Sequence, residues 1–365
     1  MKKKICIVFN HFQFQDGVAR AAIATANTLV EREDVEVTLI PIFKFHENAL
    51  GLVDKRVKIK PFFRFYFRGM QKLVDLISPK MLYSLVIKEK YDVEIGFCRK
   101  TPIQMIGSSK NSDAKHFVWM HEYDPGLKLK KYYESADKLI CVSRESSERV
   151  ASESGGSINV DFAYNPIDDI AIIEQGKADV EISKTGEPVF VSVGRLSPEK
   201  GFDRIINAVK RLKDDGYKLK FWLVGDGDEY GKLVEQTKAL GLEEEIVFWG
   251  TQKNPHAYTS KADVFICSSY REGYSTACTE AVILGVPVIT TLVGGAREII
   301  EDSQAGLLVA NTDDALYEGI KYALDNPDKV LEWKSVLKTS RVRFSHAERK
   351  KKLFDLLGLT SRVEK

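Results

Sequence analysis

The stretch Val189-Phe190-Val191-Ser192-Val193-Gly194-Arg195-Leu196-Ser197-Pro198-Glu199-Lys200-Gly201 runs from a continuous apolar segment into a polar loop carrying two cations and two glycines. A Val/Phe run without in–out alternation predicts a strand buried on both faces. A helix-period segment follows near 202–213, then a second apolar run at 220–224 and a helix near 229–240. The same beat continues through 246–249, 264–267, a helix near 275–284, 286–290, a helix at 296–301 and 307–309. Toward the N-terminus, 5–9 leads into a small-residue helix over 18–31, with further strand-like runs at 35–40, 93–97, 116–120 and 139–142. Such β–α alternation implies parallel sheets covered by helices. It pauses between about 155 and 187, where Gly155-Gly156, Asn165-Pro166 and Gly186 mark a domain junction. The expectation is an α/β protein of two doubly wound Rossmann-like domains facing each other across a cleft. They span 1–170 and 171–345, with a C-terminal helix in 346–365 packing back on the first.

The 365 residues suffice for two separate cores. Fifty-four Lys+Arg against 52 Asp+Glu leave a net charge of +2, which argues against a protein that coats nucleic acid. With 44% hydrophobic and 29% charged residues, disorder and fibrous repeats are excluded. The five cysteines, at 6, 98, 141, 267 and 278, form no C-x-x-C pair, so neither a disulfide framework nor a zinc cluster is expected. The apolar run after Lys2-Lys3-Lys4 is too short for a secretory signal, and no apolar stretch reaches eighteen residues. A cytoplasmic location is the expectation.

In open parallel sheets, ligands sit beyond the carboxyl ends of the strands. Arg195 and Lys200 follow one such strand and read equally as a solvated basic loop or as cations converging on an anion such as a diphosphate. After 264–267 come Glu272-Gly273-Tyr274-Ser275-Thr276, where Gly273 and the hydroxyls open a helix whose free N–H groups suit an anion. Glu280, just over a turn into that helix, could accept from both hydroxyls of a ribose, and Glu272 could reach a sugar. Asp16-Gly17 after the first strand would admit a phosphate close to the backbone, without being a dinucleotide fingerprint. His121 reads as a structural histidine or as a polar group at a reacting centre. Gly294-Gly295-Ala296 offers a close backbone approach or a plain turn. Asp226-Gly227-Asp228 suits a divalent metal or a tight turn with an acidic helix start; the turn is preferred and no metal is expected, because Arg195 and Lys200 supply the positive charge.

Together these motifs resemble the retaining glycosyltransferases of family 4, which have the two-domain GT-B fold. The likeness is strongest over about 187–310 and rests on Gly194-Arg195 with Lys200-Gly201, Gly225-Asp226-Gly227, the E-x7-E element from Glu272 to Glu280, and Gly294-Gly295. Asn165-Pro166-Ile167-Asp168 and Cys141-Val142-Ser143 match the family's segments before the second domain. The resemblance implies Arg195 and Lys200 on the donor diphosphate, Glu280 on the ribose, Glu272 on the transferred sugar, and backbone from Gly273 to Ala277 touching phosphate and sugar. His121 matches the family's histidine near the sugar. The family has two glycines where this chain has Asp16-Gly17, so only Gly17 corresponds, and Tyr274 stands where Phe is frequent. The implied reaction moves a sugar from a nucleotide-diphosphate sugar to an acceptor hydroxyl with retention, by front-face attack, without metal or cofactor. A nucleotide-sugar epimerase of similar architecture and a non-catalytic nucleotide-sugar-binding subunit are the alternatives.

The acceptor is less legible. Residues 44–80 carry nine Lys/Arg against three acids, and 61–78 reads as a helix with Arg64, Arg68 and Lys72 opposite Phe63, Phe67, Met70, Val74 and Ile77. A basic amphipathic helix suits an anionic membrane and a lipid-linked acceptor; a packed helix with a solvated face reads as well. The expected partners are therefore a nucleotide sugar, an acceptor sugar or lipid-linked glycan, and an anionic surface through 61–78, in bacterial surface polysaccharide or glycolipid synthesis.

Overall fold

The computed structural model describes residues 2–13, 17–43, 45–97, 100–180 and 186–360. Its contacts divide the chain into Met1–Ile167 with Arg349–Lys365, and Asp168–Glu348.

Among the described residues the first unit has seven strands: β1 (Lys3–Phe9), β2 (Val35–Pro41), β3 (Lys58–Ile59), β4 (Val93–Phe97), β5 (Lys115–Met120), β6 (Lys138–Cys141) and β7 (Val160–Phe162). They lie in the order β3-β2-β1-β4-β5-β6-β7, every pairing parallel. The central strands are apolar on both faces: all five residues of β4 are buried, as are the last five of β1. Glu94 is the one acid in β4, fully buried, and its carboxylate accepts from Tyr83, Ser109 and Asn111.

The second unit repeats the plan with β8 (Val189–Val193), β9 (Lys220–Val224), β10 (Ile246–Gly250), β11 (Val264–Cys267), β12 (Val288–Thr291) and β13 (Gly306–Val309), in the order β10-β9-β8-β11-β12-β13. All of its pairings are parallel too. Both sheets are thus doubly wound and both units Rossmann-like, with a reversal of strand order beside β1 in one and beside β8 in the other.

The chain passes between units twice, at 167/168 and 348/349, a few residues from the expected 170 and 345. The returning helix His346–Leu356 ties into the first unit through Lys350 to Glu31, Lys352 to Asp161 at 2.8 Å, and Arg349 to the carbonyl of Asn165 at 2.7 Å. Arg32 donates to the Leu359 carbonyl just beyond it.

One expected element does not form. In place of a helix over 61–78 there is irregular chain to Gly69, a short helix Met70–Val74, and a second helix, Pro79–Val86. Two local facts outweigh the four-residue spacing of the cations. Phe62 and Phe63 donate their backbone N–H groups to Pro41 and Ile42, prolonging the sheet edge. Gly69 then adopts φ 97°, a left-handed conformation that no helix interior accommodates. The apolar residues consequently divide. Phe62, Phe63, Met70, Val74 and Ile77 pack on the core, whereas Phe65, Tyr66, Phe67, Leu73 and Leu76 are exposed, Leu76 by 83%.

Candidate active site

Because β8 and β11 are neighbours at the reversal point, the loops that leave their carboxyl ends meet. The Pro198–Lys200 turn brings the Lys200 ammonium to Glu272 Oε1 at 2.5 Å, and the Ser269 hydroxyl donates to the same oxygen at 3.0 Å. Burial alone would lower the Lys200 pKa, but the adjacent Glu272 carboxylate outweighs it and raises it. Lys200 therefore stays charged through neutral pH, with two of its three N–H donors left for a ligand.

Three packings hold this pair in place. Gly201 has φ 64°, and a Cβ there would lie 2.4 Å from the Ser268 carbonyl; the Ser268 hydroxyl in turn donates to the Lys200 carbonyl at 2.9 Å. Gly294 and Gly295 leave no room either, since Cβ atoms would meet the Glu272 carbonyl and the Tyr274 ring at 2.5 Å each. That glycine pair is the floor beneath Glu272–Tyr274. The guanidinium of Arg204, 1% exposed, binds Asp313, Asn311 and the Ser268 carbonyl, at 2.7, 2.7 and 3.1 Å.

Arg195 leaves the same strand but turns outward, its side chain 72% exposed and bonded to Glu199 at 2.8 Å. Its backbone is fixed by the Gly225-Asp226-Gly227 turn, for Leu196 donates to the Asp226 carbonyl and Gly194 to that of Val224, both at 3.0 Å. Asp226 caps the Gly227 N–H at 2.7 Å, and both Asp226 and Asp228 are exposed. Among the described residues no three His, Cys, Asp or Glu side chains group as metal ligands.

The hydroxyl residues play a local part. Ser275 caps the helix Thr276–Ile283, its oxygen accepting from Cys278 N at 3.3 Å, so Gly273, Tyr274 and Thr276 frame the helix's first turn. From within that helix Glu280 projects a half-buried carboxylate, with His256 Nε2 3.4 Å from its Oε2. Arg204 and His256 escape the sequence reading because their partners lie far along the chain and neither sits in a motif.

In the first unit, Gly17 opens the helix Gly17–Leu29 with nothing within 4 Å of a would-be Cβ. Its companion Asp16 lies outside the described residues. His121 follows β5, its ring 4.6 Å from that of Phe97 and both ring nitrogens shielded from solvent. Burial pushes its pKa down to about 4, against a smaller upward pull from Asn165, so the ring is neutral at pH 7. As pH falls from 6.5 to 4 the unfolded chain binds a proton that the folded chain refuses, so stability is lost in that window, by up to about 3 kcal/mol. Melting temperatures between pH 7 and 4.5 should therefore fall less for His121→Gln than for the parent; parallel slopes would contradict this.

Residues 175–338 match the family model of glycosyl transferases group 1. A Campylobacter jejuni N-acetylgalactosamine-N,N'-diacetylbacillosaminyl-diphospho-undecaprenol 4-alpha-N-acetylgalactosaminyltransferase is 29% identical over 215 residues, 58% of this chain and 57% of its own length. The Rhizobium meliloti lipopolysaccharide core biosynthesis glycosyltransferase LpsE is 29% identical over 302 residues, 82% of each chain. Among solved structures, Anabaena HepE in complex with UDP superposes with a TM-score of 0.75 at 18% identity, covering 98% of this chain and 100% of that one. The lipopolysaccharide outer core galactosyltransferase WaaB gives 0.72 at 17%, covering 97% and 98%. These two carry the fold over both units. The family match lies within the second unit and spans nearly all of Asp168–Glu348.

Proposed function

We propose that the chain is a glycosyltransferase that moves a sugar from a nucleotide-diphosphate sugar to an acceptor hydroxyl, with retention at the anomeric carbon and without a metal. The observation that carries this reading is the Lys200–Glu272 pair at the β8/β11 reversal, inside the segment that matches the family. As the glycosidic C–O bond breaks, negative charge builds on the departing diphosphate, and fixed cations lower that barrier most where water is scarce. Lys200 is already desolvated and aimed; Arg195 joins it by exchanging Glu199 for phosphate. Glu272 positions Lys200 and reaches the sugar hydroxyls, and Glu280 accepts from the ribose. With no carboxylate assigned as a nucleophile, the leaving phosphate takes the acceptor's proton on the same face. A thermal-shift screen of UDP-, GDP- and ADP-sugars tests it, because a ligand stabilises only the state that binds it. One donor should raise the melting temperature and be consumed with an acceptor glycan, with its anomeric configuration kept in the product. Release of free nucleotide and a 2-epimer without any acceptor would indicate the epimerase instead; binding without turnover, the silent subunit.

A lipid-linked acceptor, such as the undecaprenol-linked glycan in the name of the Campylobacter relative, would place the first unit at the cytoplasmic face of a membrane. No helix among the described residues is long and apolar enough to cross one. The exposed Phe65, Tyr66, Phe67, Leu73 and Leu76, beside the exposed Arg64, Arg68 and Lys72, support interfacial contact of another kind, since aromatic rings and cations both favour an anionic headgroup region. Co-sedimentation should be strong with phosphatidylglycerol-containing vesicles, weak with pure phosphatidylcholine, and reduced by salt or by Phe65→Ser with Phe67→Ser. Independence from anionic lipid would remove this part of the reading.

A further inference from the structure

His256 stands on the short helix Pro255–Thr259 with its ring nitrogens committed to opposite sides. Nδ1 lies 2.8 Å from Gln175 Oε1, and Nε2 faces Glu280 Oε2 at 3.4 Å. The His256 side chain is 12% exposed and that of Glu280 17%, and Nε2 is closed to solvent without a hydrogen-bond partner. Gln175, at the end of the helix Asp169–Gly176, is itself anchored, because Asn254 Nδ2 donates to its carbonyl at 2.9 Å while Asn254 Oδ1 caps Ala257 N at 3.3 Å. The Ser260 hydroxyl adds a 2.6 Å bond to the Gly176 carbonyl. The row Gln175–His256–Glu280 therefore lies entirely within the second unit and is braced at its far end.

A lone pair aimed at a carboxylate is repulsive, so the stable arrangements put an N–H on Nε2. Either the ring carries both protons, with Nδ1–H donating to Gln175, or the Gln175 amide presents its NH₂ to Nδ1 and the single ring proton sits on Nε2. Both put the positive N–H end of the ring 3.4 Å from Oε2 of Glu280, an electrostatic attraction short of a hydrogen bond, and a carboxylate biased through one oxygen loses less orientational freedom when a ligand arrives. A ribose cis-diol needs that fixed direction, because its two hydroxyls must donate to the carboxylate together.

We infer that His256 is a positioning residue that sets Glu280 for the ribose diol, and so governs discrimination between ribo- and deoxyribonucleotides. This rests on the reading of Glu280 as the ribose ligand. Nothing in the motif pattern points to position 256; only the fold brings it to Glu280, 24 residues on.

Titration calorimetry of the full chain with UDP, GDP and ADP, each beside its 2′-deoxy counterpart, tests it. For the nucleotide that binds, the parent should prefer the ribo form by about 10-fold or more, the size of a charge-assisted hydrogen bond. His256→Ala should reduce that ratio to a few-fold, and His256→Gln, whose amide nitrogen reaches the place of Nε2, should restore most of it. Glu280→Ala should abolish it, and adding His256→Ala to Glu280→Ala should change nothing further, since the second residue acts only through the first. A parental ratio in both folded His256 variants would overturn the inference while leaving Glu280 in its role. An unchanged ratio in Glu280→Ala, or no binding of any of the three, would remove the ribose reading and this inference with it.

Discussion

Lys200→Ala should lower turnover by about 10²–10³-fold, the loss found when one preorganised donor is removed from a developing anion. The reason is specific to the Lys200–Glu272 contact. The ammonium is partly buried, its charge is secured by the carboxylate 2.5 Å away, and its loop is braced through Gly201 and Ser268. Removing it also leaves Glu272, only 13% exposed, beside the incoming diphosphate as an uncompensated negative charge. The variant should therefore lose donor affinity as well as turnover. Lys200→Arg should not rescue it: a planar fork spreads over a wider area than the point charge this turn holds. Glu272→Gln should separate the two roles, retaining the Ser269 hydrogen bond while freeing Lys200. Single-turnover rates of these three variants and of Arg195→Ala against the parent decide this, and near-parental rates in Lys200→Ala and Arg195→Ala together would dismiss the assignment.

The largest effect on stability is expected at Gly225. Its φ is 140°, and a Cβ there would lie 1.9 Å from the Gly194 carbonyl, backbone against backbone with nothing flexible to yield. Gly225→Ala must distort either its own turn or the first residues of the loop that carries Arg195 and Lys200. A cost of about 4 kcal/mol or more follows, in the tail of single substitutions and a large share of a domain's total stability. By contrast Gly216→Ala, with a strained φ of 87° but open space around the new methyl, should cost only about 1 kcal/mol. Denaturant midpoints of the two variants provide the check. Equal midpoints would mean that the turn yields, and that the packing of Gly225 on Gly194 is not what fixes the loop.

Both predictions concern residues whose types were visible in the sequence but whose contacts were not. Continuous Val/Ile/Phe runs announced the central strands because such strands are buried on both faces, and β4, β8, β9 and β11 have the expected limits. The strands β3 and β7 were invisible, since two or three exposed or half-buried residues make no run. The segment 61–78 misled for a related reason. Helical periodicity is a property of side chains, whereas its outcome was set by backbone: a sheet edge that Phe62 and Phe63 prolong, and a left-handed Gly69.

At the site, Lys200 and Glu272 were each legible as polar residues after a strand. Their contact across 72 residues follows only from the adjacency of β8 and β11. Gly294-Gly295 was legible as a close approach, but the approaching group is the Glu272–Tyr274 backbone and ring. Arg204 looked like any surface cation of an amphipathic helix; its burial depends on Asp313 and Asn311, more than a hundred residues away.

The proposed function requires the second unit to bind a nucleoside diphosphate through Lys200. Calorimetric titration of the full chain with UDP, GDP and ADP measures this without knowledge of the sugar or the acceptor. One of the three should bind the parent saturably, with affinity weakened at least about tenfold by Lys200→Ala and unchanged by Asp226→Asn in the exposed turn. Equal affinity of the parent and Lys200→Ala would contradict it.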